Sequence, residues 1–233
     1  NNQDPDQSYF LAPADLQALK ACGVTFVSSM LERVIEEQAK GDPDKAAEIR
    51  DAIGAEIGQS LADITPGSEE AARVKAVLEE QGLWSQYLEV GIGPDAEVFT
   101  KSQPMAAVGM GAEIGIHPKS TWNNPEPEIV LAIAPDSRVV GACLGNDVNL
   151  RDFEGRSALL LGKAKDNRAS CAVGPFIRLF DDGFNLDHVR AMDISLSVSG
   201  TDGFELQGSS SIAEISRDLA DLATYACGPH NQF

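Results

Sequence analysis

Three acidic residues occur in a pattern that could bind a metal ion. Glu126 and Glu128 begin one apolar run, and Asp147 follows the next one. Residues two apart on extended backbone point to the same face, so the two glutamates would share one face and Pro127 the other. A hairpin through residues 135–138 would bring Asp147 back beside them. Three carboxylates would then converge on one point.

Carboxylate ligands without a histidine or cysteine partner favour a hard divalent cation. We therefore expect Mg²⁺ at this site, with Mn²⁺ and Ca²⁺ as alternatives. Pro125 and Pro127 donate no backbone hydrogen bond, which places the carboxylates at the start of a strand and at the rim of a sheet. The alternative interpretation is a solvated strand face, which is the commoner reason for a Glu-x-Glu pair.

The elements that must position these carboxylates differ along the chain. Before residue 84, apolar residues recur at helical spacing and predict helices over about 45–57 and after an N-cap at Ser68. From residue 84 onward, short β-like runs are broken by Gly, Pro and Asn, with one further helix over about 211–225. The pattern predicts an α+β fold, with a helical section at 1–83 and a β-rich, metal-binding section at 84–233. The predicted strands cover about 22–27, 128–134, 139–144, 172–179, 193–199 and 203–206.

The composition favours a globular protein of the cytoplasm. Of its 233 residues 43% are hydrophobic, which is enough for a core. Asp and Glu number 36 against 18 Lys and Arg, a formal net charge of -18, which repels nucleic acid and anionic membrane surfaces. We find no apolar run long enough to span a bilayer and no signal peptide. The four cysteines are too far apart for a zinc knuckle or a disulfide framework.

A longer set of motifs resembles a known family. The motifs are Glu126-Pro127-Glu128, Gly145-Asn146-Asp147-Val148, Arg151-Asp152 and Lys165, within runs such as WNNPEPE and GNDVNLRDFEGRSALLLGKAKDN. They resemble the divalent-metal site of the fumarylacetoacetate hydrolase superfamily. Within it, the chain is most similar to the branch that dehydrates 2-keto-3-deoxypentonates such as 2-keto-3-deoxy-D-xylonate or D-arabinonate. The resemblance extends from about Leu11 to Gln232.

The resemblance implies a β-roll core, with the helical section from about residue 36 to 83 inserted after the first strand and helix. In the family, further strands follow the segment that matches Gly228-Pro229-His230, and another domain precedes the core. We therefore expect an incomplete roll in a chain truncated at both ends. A homo-oligomer is the expected assembly.

The resemblance also assigns roles to individual residues. Besides the three carboxylates as metal ligands, Lys165 matches the pocket lysine of the family and Arg151 matches an arginine that lines the pocket. Glu97 resembles an acid/base residue of the dehydratase branch, so Lys165 and Glu97 are the predicted catalytic residues. Arg151, Ser29 and Asn167 are the predicted substrate-binding residues. Ser29 stands where carbon-carbon hydrolases of the superfamily place the histidine that activates water.

The implied activity is that of a hydro-lyase: Mg²⁺-dependent dehydration of a 2-keto-3-deoxy sugar acid to 2-oxoglutarate semialdehyde, in pentose catabolism. The expected partner is a small anionic 2-oxo acid, whose carboxylate and keto oxygens can chelate the cation. An acylpyruvate-type carbon-carbon hydrolase is the first alternative. The serine at position 29 argues against it, although Glu32 or Glu97 could still serve as its base. A catalytically silent, truncated paralogue is the second alternative.

Overall fold

The computed structural model describes residues 4, 6–26, 30, 34, 35, 39, 43–56 and 64–229. The chain divides into two compact units, and neither is a continuous segment. Unit 1 comprises Asn1–Ala21, Val98–Ile212 and Ala226–Phe233, and unit 2 comprises Cys22–Glu97 and Ala213–Tyr225. The division expected between residues 83 and 84 lies inside unit 2.

Unit 2 is helical. In the first of its two segments, the helices with described bounds are α1 (Pro43–Glu56), α2 (Glu69–Glu80) and α3 (Gln86–Ile92). The prediction of Ser68 as an N-cap is confirmed, since its side chain accepts a hydrogen bond from the Ala71 backbone N–H. Helix α3 was not predicted, because its seven residues are too few to show a helical period. The buried core of this unit is apolar: Met30, Val34, Ile35, Ile64, Ala71, Leu78, Leu88 and Ile92.

A segment distant in sequence completes unit 2. Phe26 forms an isolated bridge with Ile215, in the second part of the unit. The guanidinium of Arg217 donates hydrogen bonds to the backbone carbonyls of Val90, Gly93 and Asp95. These carbonyls lie at the C-terminal end of α3 and just beyond it, where a cation is favourable because helical carbonyls there are left without intrahelical partners.

Unit 1 is built from antiparallel sheets and short helices. The strands are β1 (Leu19–Cys22), β2 (Val98–Ser102), β3 (Asn123–Asn124), β4 (Pro127–Ile133), β5 (Val139–Asp147), β6 (Asn149–Leu150), β7 (Cys171–Leu179), β8 (Asp193–Ser199) and β9 (Glu205–Ser211). They form the sheets β1-β2, β3-β6, β4-β5-β7 and β8-β9. The predicted mixture of helices and sheets is confirmed.

Short helices follow these strands. In unit 1 they are α4 (Arg151–Glu154), α5 (Leu161–Lys165) and α6 (Leu186–Arg190), with a 3-10 turn at Ala158–Leu160. A second 3-10 turn, Ile212–Glu214, lies at the boundary of the units, and most of α7 (Leu219–Cys227) belongs to unit 2. The helix predicted over 211–225 therefore begins later, at Leu219. Likewise β1 ends at Cys22, where the predicted strand begins. The four cysteines are free thiols.

The three-stranded sheet carries the carboxylate motif. Strand β4 is an edge strand and its first residue is Pro127, a position that needs no ladder N–H. The turn that joins β4 to β5 is closed by a hydrogen bond from Ala134 N to Arg138 O at 2.8 Å. The predicted hairpin is thus confirmed. Across the described part of the chain, every helix is too short or too polar to cross a membrane.

Candidate metal centre

The hairpin register brings the three carboxylates together. Glu128 lies opposite Gly145, and the Asp147 backbone N–H donates to Glu126 O at 2.8 Å, which places Asp147 opposite Glu126. Directly opposed residues of an antiparallel pair share a face, and Glu128 is two residues further along the same face. One carboxylate oxygen from each of the three residues lies within 4.8 Å of the other two. The geometry expected from the period of two is therefore present.

The cluster carries unfavourable negative charge. Burial, together with the negative charges of Asp147 and Glu126, raises the pKa of Glu128 to about 8. Burial also raises the pKa of Asp147, against the opposing effect of Lys165 and Lys101. Desolvation and like charges both disfavour ionisation, and a bound dication would remove that penalty.

Lys165 contacts two of the carboxylates. It is the last residue of α5, is only 4% exposed, and places its ammonium 2.5 Å from Glu126 Oε2 and 3.2 Å from Asp147 Oδ2. Burial lowers the pKa of Lys165, but the attraction of Glu126 and Asp147 outweighs it, so that the net pKa is raised. Lys165 is therefore a protonated cation in this state. Its ammonium also lies 5.5 Å from the centre of the Phe99 ring.

A second lysine, Lys101 on β2, reaches the same cluster from another side. Its ammonium lies 3.1 Å from Asp147 Oδ1 and donates to Val148 O at 2.9 Å. It also donates to the Lys165 backbone carbonyl and, at 3.2 Å, to Ser170 Oγ. Burial lowers the pKa of Lys101, while Asp147 opposes that change. Lys101 and Lys165 thus hold opposite oxygens of the same carboxylate.

Side-chain amides surround the carboxylates and orient them. Asn149, which is fully buried, donates from Nδ2 to Glu126 Oε1 at 2.9 Å and to Glu154 Oε2 at 2.6 Å. Asn146 Oδ1 accepts from the Glu126 backbone N–H at 3.1 Å. Among the described residues, Oδ1 of Asn124, of Asn149 and of Asp147 is buried without a hydrogen-bond partner, and Asp147 Oδ1 contacts Lys101 only as an ion pair. Oxygen donors and excess negative charge fit a hard divalent cation.

Arg151 is the first residue of α4, directly after β6. Its guanidinium lies 5.4 Å from the centre of the Trp122 ring, a cation-π contact. The neighbouring Asp152 holds the loop that carries Trp122, accepting from Ser120 Oγ at 2.8 Å and from Thr121 N at 3.0 Å. These hydrogen bonds, first of all that from Thr121 N, lower the pKa of Asp152. Asp152 therefore holds the loop whose Trp122 ring contacts the Arg151 guanidinium.

The other predicted site residues lie elsewhere or outside the described residues. Asn167 uses its side-chain amide to close the end of α5, donating to Lys163 O at 2.8 Å. Glu97 belongs to unit 2, where its carboxylate packs against the backbone of Gly23. Ser29 lies outside the described residues, as does Glu32. The substrate-binding roles of Asn167 and Ser29 and the catalytic role of Glu97 stay predictions.

Lys101 and Asn149 were not predicted to be parts of the site. Lys101 follows Val98-Phe99-Thr100 in a strand of five residues, where a lysine is normally a solvent-facing residue. Asn149 was seen only as part of a motif, and nothing in its spacing marks an amide that bridges two carboxylates. Both positions can be recognised only in the folded chain, where β2 and β6 place these two side chains beside the carboxylates.

Comparisons with known proteins place the chain beside dehydratases. No protein-family model matches it. It is 28% identical over 147 residues to a protein described as a probable 2-keto-3-deoxyxylonate dehydratase of Haloferax volcanii, a match covering 63% of this chain and 50% of the relative. It is also 28% identical over 129 residues to the 2-dehydro-3-deoxy-D-arabinonate dehydratase of Saccharolobus solfataricus, covering 55% of this chain and 42% of the relative.

A solved structure agrees with these relatives. The chain resembles a 2-keto-3-deoxy-D-arabinonate dehydratase complexed with magnesium and 2,5-dioxopentanoate, with a TM-score of 0.59 and 27% identity. The match covers 63% of this chain and 51% of that structure. The chain therefore spans about half the length of the dehydratases that it matches. The similarity to this group, predicted from the motifs, is confirmed, as is the fold of the matched part.

Proposed function

We propose that this chain carries the metal centre of a Mg²⁺-dependent hydro-lyase that dehydrates a 2-keto-3-deoxy sugar acid. The observation that carries the proposal is the cluster of Glu126, Glu128 and Asp147 contacted by the buried Lys165, in a chain similar to such dehydratases. The preferred substrates are 2-keto-3-deoxy-D-xylonate and 2-keto-3-deoxy-D-arabinonate. The product would be 2-oxoglutarate semialdehyde.

In this proposal the three carboxylates hold the cation, and Asn149 and Asn146 fix the orientation of Glu126 through the hydrogen bonds described above. When bound, Mg²⁺ supplies a Lewis acid that polarises the keto group of a 2-oxo acid and acidifies the adjacent C3 hydrogens. Mg²⁺ is preferred because a magnesium complex is known for the similar dehydratase structure. Mn²⁺ and Ca²⁺ stay alternatives.

The residues of the chain supply charge and protons. Dehydration removes a proton from C3 and releases the C4 hydroxyl as water, so it needs both a base and an acid. Tautomerisation of the resulting C3–C4 alkene, in which protons move from C5 and its hydroxyl to carbon, then gives the semialdehyde. Lys165 is protonated in this state, which suits it to donate a proton to the departing hydroxyl. Glu97 stays the predicted partner in proton transfer.

The local charge suits an anionic substrate. With a dication bound and all three carboxylates ionised, the carboxylates, the ammonium groups of Lys165 and Lys101 and the cation would sum to one positive charge. Arg151, with its guanidinium over Trp122, is the proposed ligand of the substrate carboxylate. A planar guanidinium can bind a carboxylate through two parallel hydrogen bonds.

The reaction can be tested directly on the full-length protein. With Mg²⁺ present, it is assayed against 2-keto-3-deoxy-D-xylonate, 2-keto-3-deoxy-D-arabinonate and an acylpyruvate, and semialdehyde and pyruvate are followed separately. We expect semialdehyde from at least one sugar acid and no pyruvate from the acylpyruvate. Pyruvate without semialdehyde would instead indicate a carbon-carbon hydrolase. The homo-oligomeric assembly and the cytoplasmic location stay predictions that this assay leaves aside.

A further inference from the structure

We infer that Lys101 is a positioning residue of the metal centre: it holds Asp147 and the end of α5 in the geometry that a cation requires. The inference rests on the proposed function, because it concerns the proposed metal ligands. Lys101 was not among the residues expected at the site, and it is not itself a proposed ligand. Its effect would be exerted through Asp147 and through the backbone of Lys165.

The surroundings of Lys101 support this role. The side chain is 2% exposed and is the largest fully buried side chain among the described residues. Its ammonium contacts four oxygens, from Asp147, Val148, Lys165 and Ser170. Two of these belong to the end of β5 and the residue after it, while Lys165 O belongs to the last residue of α5. One cation therefore joins a proposed ligand to the helix that carries the proposed catalytic lysine.

Ser170 extends the same connection. Its hydroxyl accepts from Lys101 Nζ and lies 2.9 Å from Lys165 O and 2.8 Å from Asn167 O. The Asn167 backbone N–H donates back to Ser170 Oγ at 3.1 Å. Lys101 and Ser170 therefore both fix the turn at the end of α5. If this connection is removed, the Lys165 ammonium should lose its fixed position relative to Asp147.

Stability alone does not account for a lysine at this place. Burying an ammonium is costly before its partners compensate, and replacing both members of a buried ion pair by apolar residues of similar volume is often neutral or stabilising. A methionine at position 101 alone would fill similar space without the cost of burying the ammonium, but it would leave the buried Asp147 with one cationic neighbour fewer. What the methionine could not do is bind four oxygens from three separate segments of the chain.

The two physical effects of Lys101 on cation binding have opposite signs. Its positive charge lies next to a proposed ligand and repels a cation, so a purely electrostatic role predicts tighter cation binding when Lys101 is neutralised. Positioning predicts weaker binding, because loss of a residue that orients a ligand typically lowers metal affinity 10- to 100-fold. The sign of the change in affinity therefore separates the two roles.

The experiment uses Mn²⁺ as the probe. Its affinity is measured by titration calorimetry for the wild type, for Lys101→Met and for Lys20→Met, and the electron paramagnetic resonance spectrum of the bound ion is recorded at saturation. Lys20 is a matched control because it lies on β1, which pairs with β2, and donates to Thr100 Oγ1. We expect Lys101→Met to bind Mn²⁺ at least about tenfold more weakly, with an altered spectrum, and Lys20→Met to match the wild type.

A second variant keeps the test decisive if Lys101→Met does not fold. Ser170→Ala removes one of the four oxygens, and we expect Mn²⁺ affinity to fall about threefold, from the loss of one hydrogen bond of ordinary strength. Unchanged or tighter Mn²⁺ binding in Lys101→Met would overturn the inference, and so would unchanged binding in Ser170→Ala. A merely structural role would lower the unfolding temperature without changing the spectrum of the saturated site.

The outcome can be separated from that of the proposed function. If the wild type binds Mn²⁺ but forms no semialdehyde, the proposed reaction fails and the inference on Lys101 is still tested by the affinities. If Glu128→Gln binds Mn²⁺ as tightly as the wild type, the proposed ligand set fails and the inference fails with it.

Discussion

The interiors of the two units are built from different kinds of residue. In unit 2 the buried cluster is apolar and contains Met30, Leu78 and Ile92, each 1% exposed or less, and the buried polar side chains among the described residues are Ser85 and Arg217. In unit 1 the buried residues include charged and polar side chains, among them Lys101, Lys165, Asp147 and Asn149. Its buried apolar clusters are smaller, such as the one formed by Leu150, Phe153 and Ala164.

The comparison distinguishes buried apolar residues, which stabilise the fold, from buried charged residues, which form a functional site. Apolar burial contributes free energy of folding in proportion to area, whereas buried charges cost desolvation that their partners recover only in part. An interior rich in ionised groups is therefore a poor source of stability and a good way to fix charges in place. Substitutions in the two interiors should affect stability and function separately.

The largest effect is expected at Lys165. Lys165→Met should lower turnover of the 2-keto-3-deoxy sugar acid about 10³-fold, within the range for removal of a general acid, and should leave Mn²⁺ binding largely intact because Lys165 is not a proposed ligand. Steady-state kinetics and calorimetry check this. Lys163→Met, which removes an exposed lysine from the same helix, is the control. Turnover within tenfold of the wild type would remove Lys165 from the mechanism.

Next comes the apolar interior of unit 2. Leu78→Ala should lower the free energy of unfolding by about 3 kcal/mol, since it removes buried methyl groups and leaves a cavity. Denaturant unfolding measures this change, and Val77→Ala at an exposed neighbour should change stability by less than about 0.5 kcal/mol. Mn²⁺ affinity should stay unchanged in both variants. A loss of Mn²⁺ affinity in Leu78→Ala would show that the two interiors do not act separately.

A slightly smaller effect is expected at Glu128, where metal affinity should change and stability should not. Glu128→Gln should weaken Mn²⁺ binding about 100-fold, because it removes a proposed ligand, and should not lower the stability of the metal-free protein, because an ionisable group disfavoured by burial and like charges is lost. Calorimetry and denaturant unfolding measure the two quantities. Glu205→Gln on the exposed face of β9 is the control. Wild-type affinity in Glu128→Gln would contradict the proposed ligand set.

The carboxylate cluster was predictable because it depends on local geometry alone. The period of two and one short hairpin bring Glu126, Glu128 and Asp147 together, and each can be seen in a stretch of about 20 residues. Lys165 was recognised only through the resemblance, since a lysine that ends a five-residue helix has no pattern of its own. Its contacts with Glu126 and Asp147 depend on the packing of α5, which periodicity does not describe.

The remaining features depend on contacts between residues far apart in sequence. Lys101 is buried by Val148, Lys165 and Ser170, which lie on three later segments, so its own strand carries no sign of its burial. For the same reason, the segments that make up unit 2 could not be predicted. Residues 213–225 join residues 22–97 through contacts between distant residues, such as that of Phe26 with Ile215. A change of composition along a sequence can mark the boundary between two continuous segments. Unit 2 combines two segments that are far apart in sequence, so no such change marks its limits.

The attachment of Arg217 to the end of α3 also bears on the order of synthesis. The carbonyls of Val90, Gly93 and Asp95 leave the ribosome long before the guanidinium that binds them. At synthesis rates of roughly 5–20 residues per second, the delay is on the order of ten seconds. Throughout that interval the nascent helices of unit 2 lack their closing segment, and their apolar faces are available to chaperones or to other nascent chains.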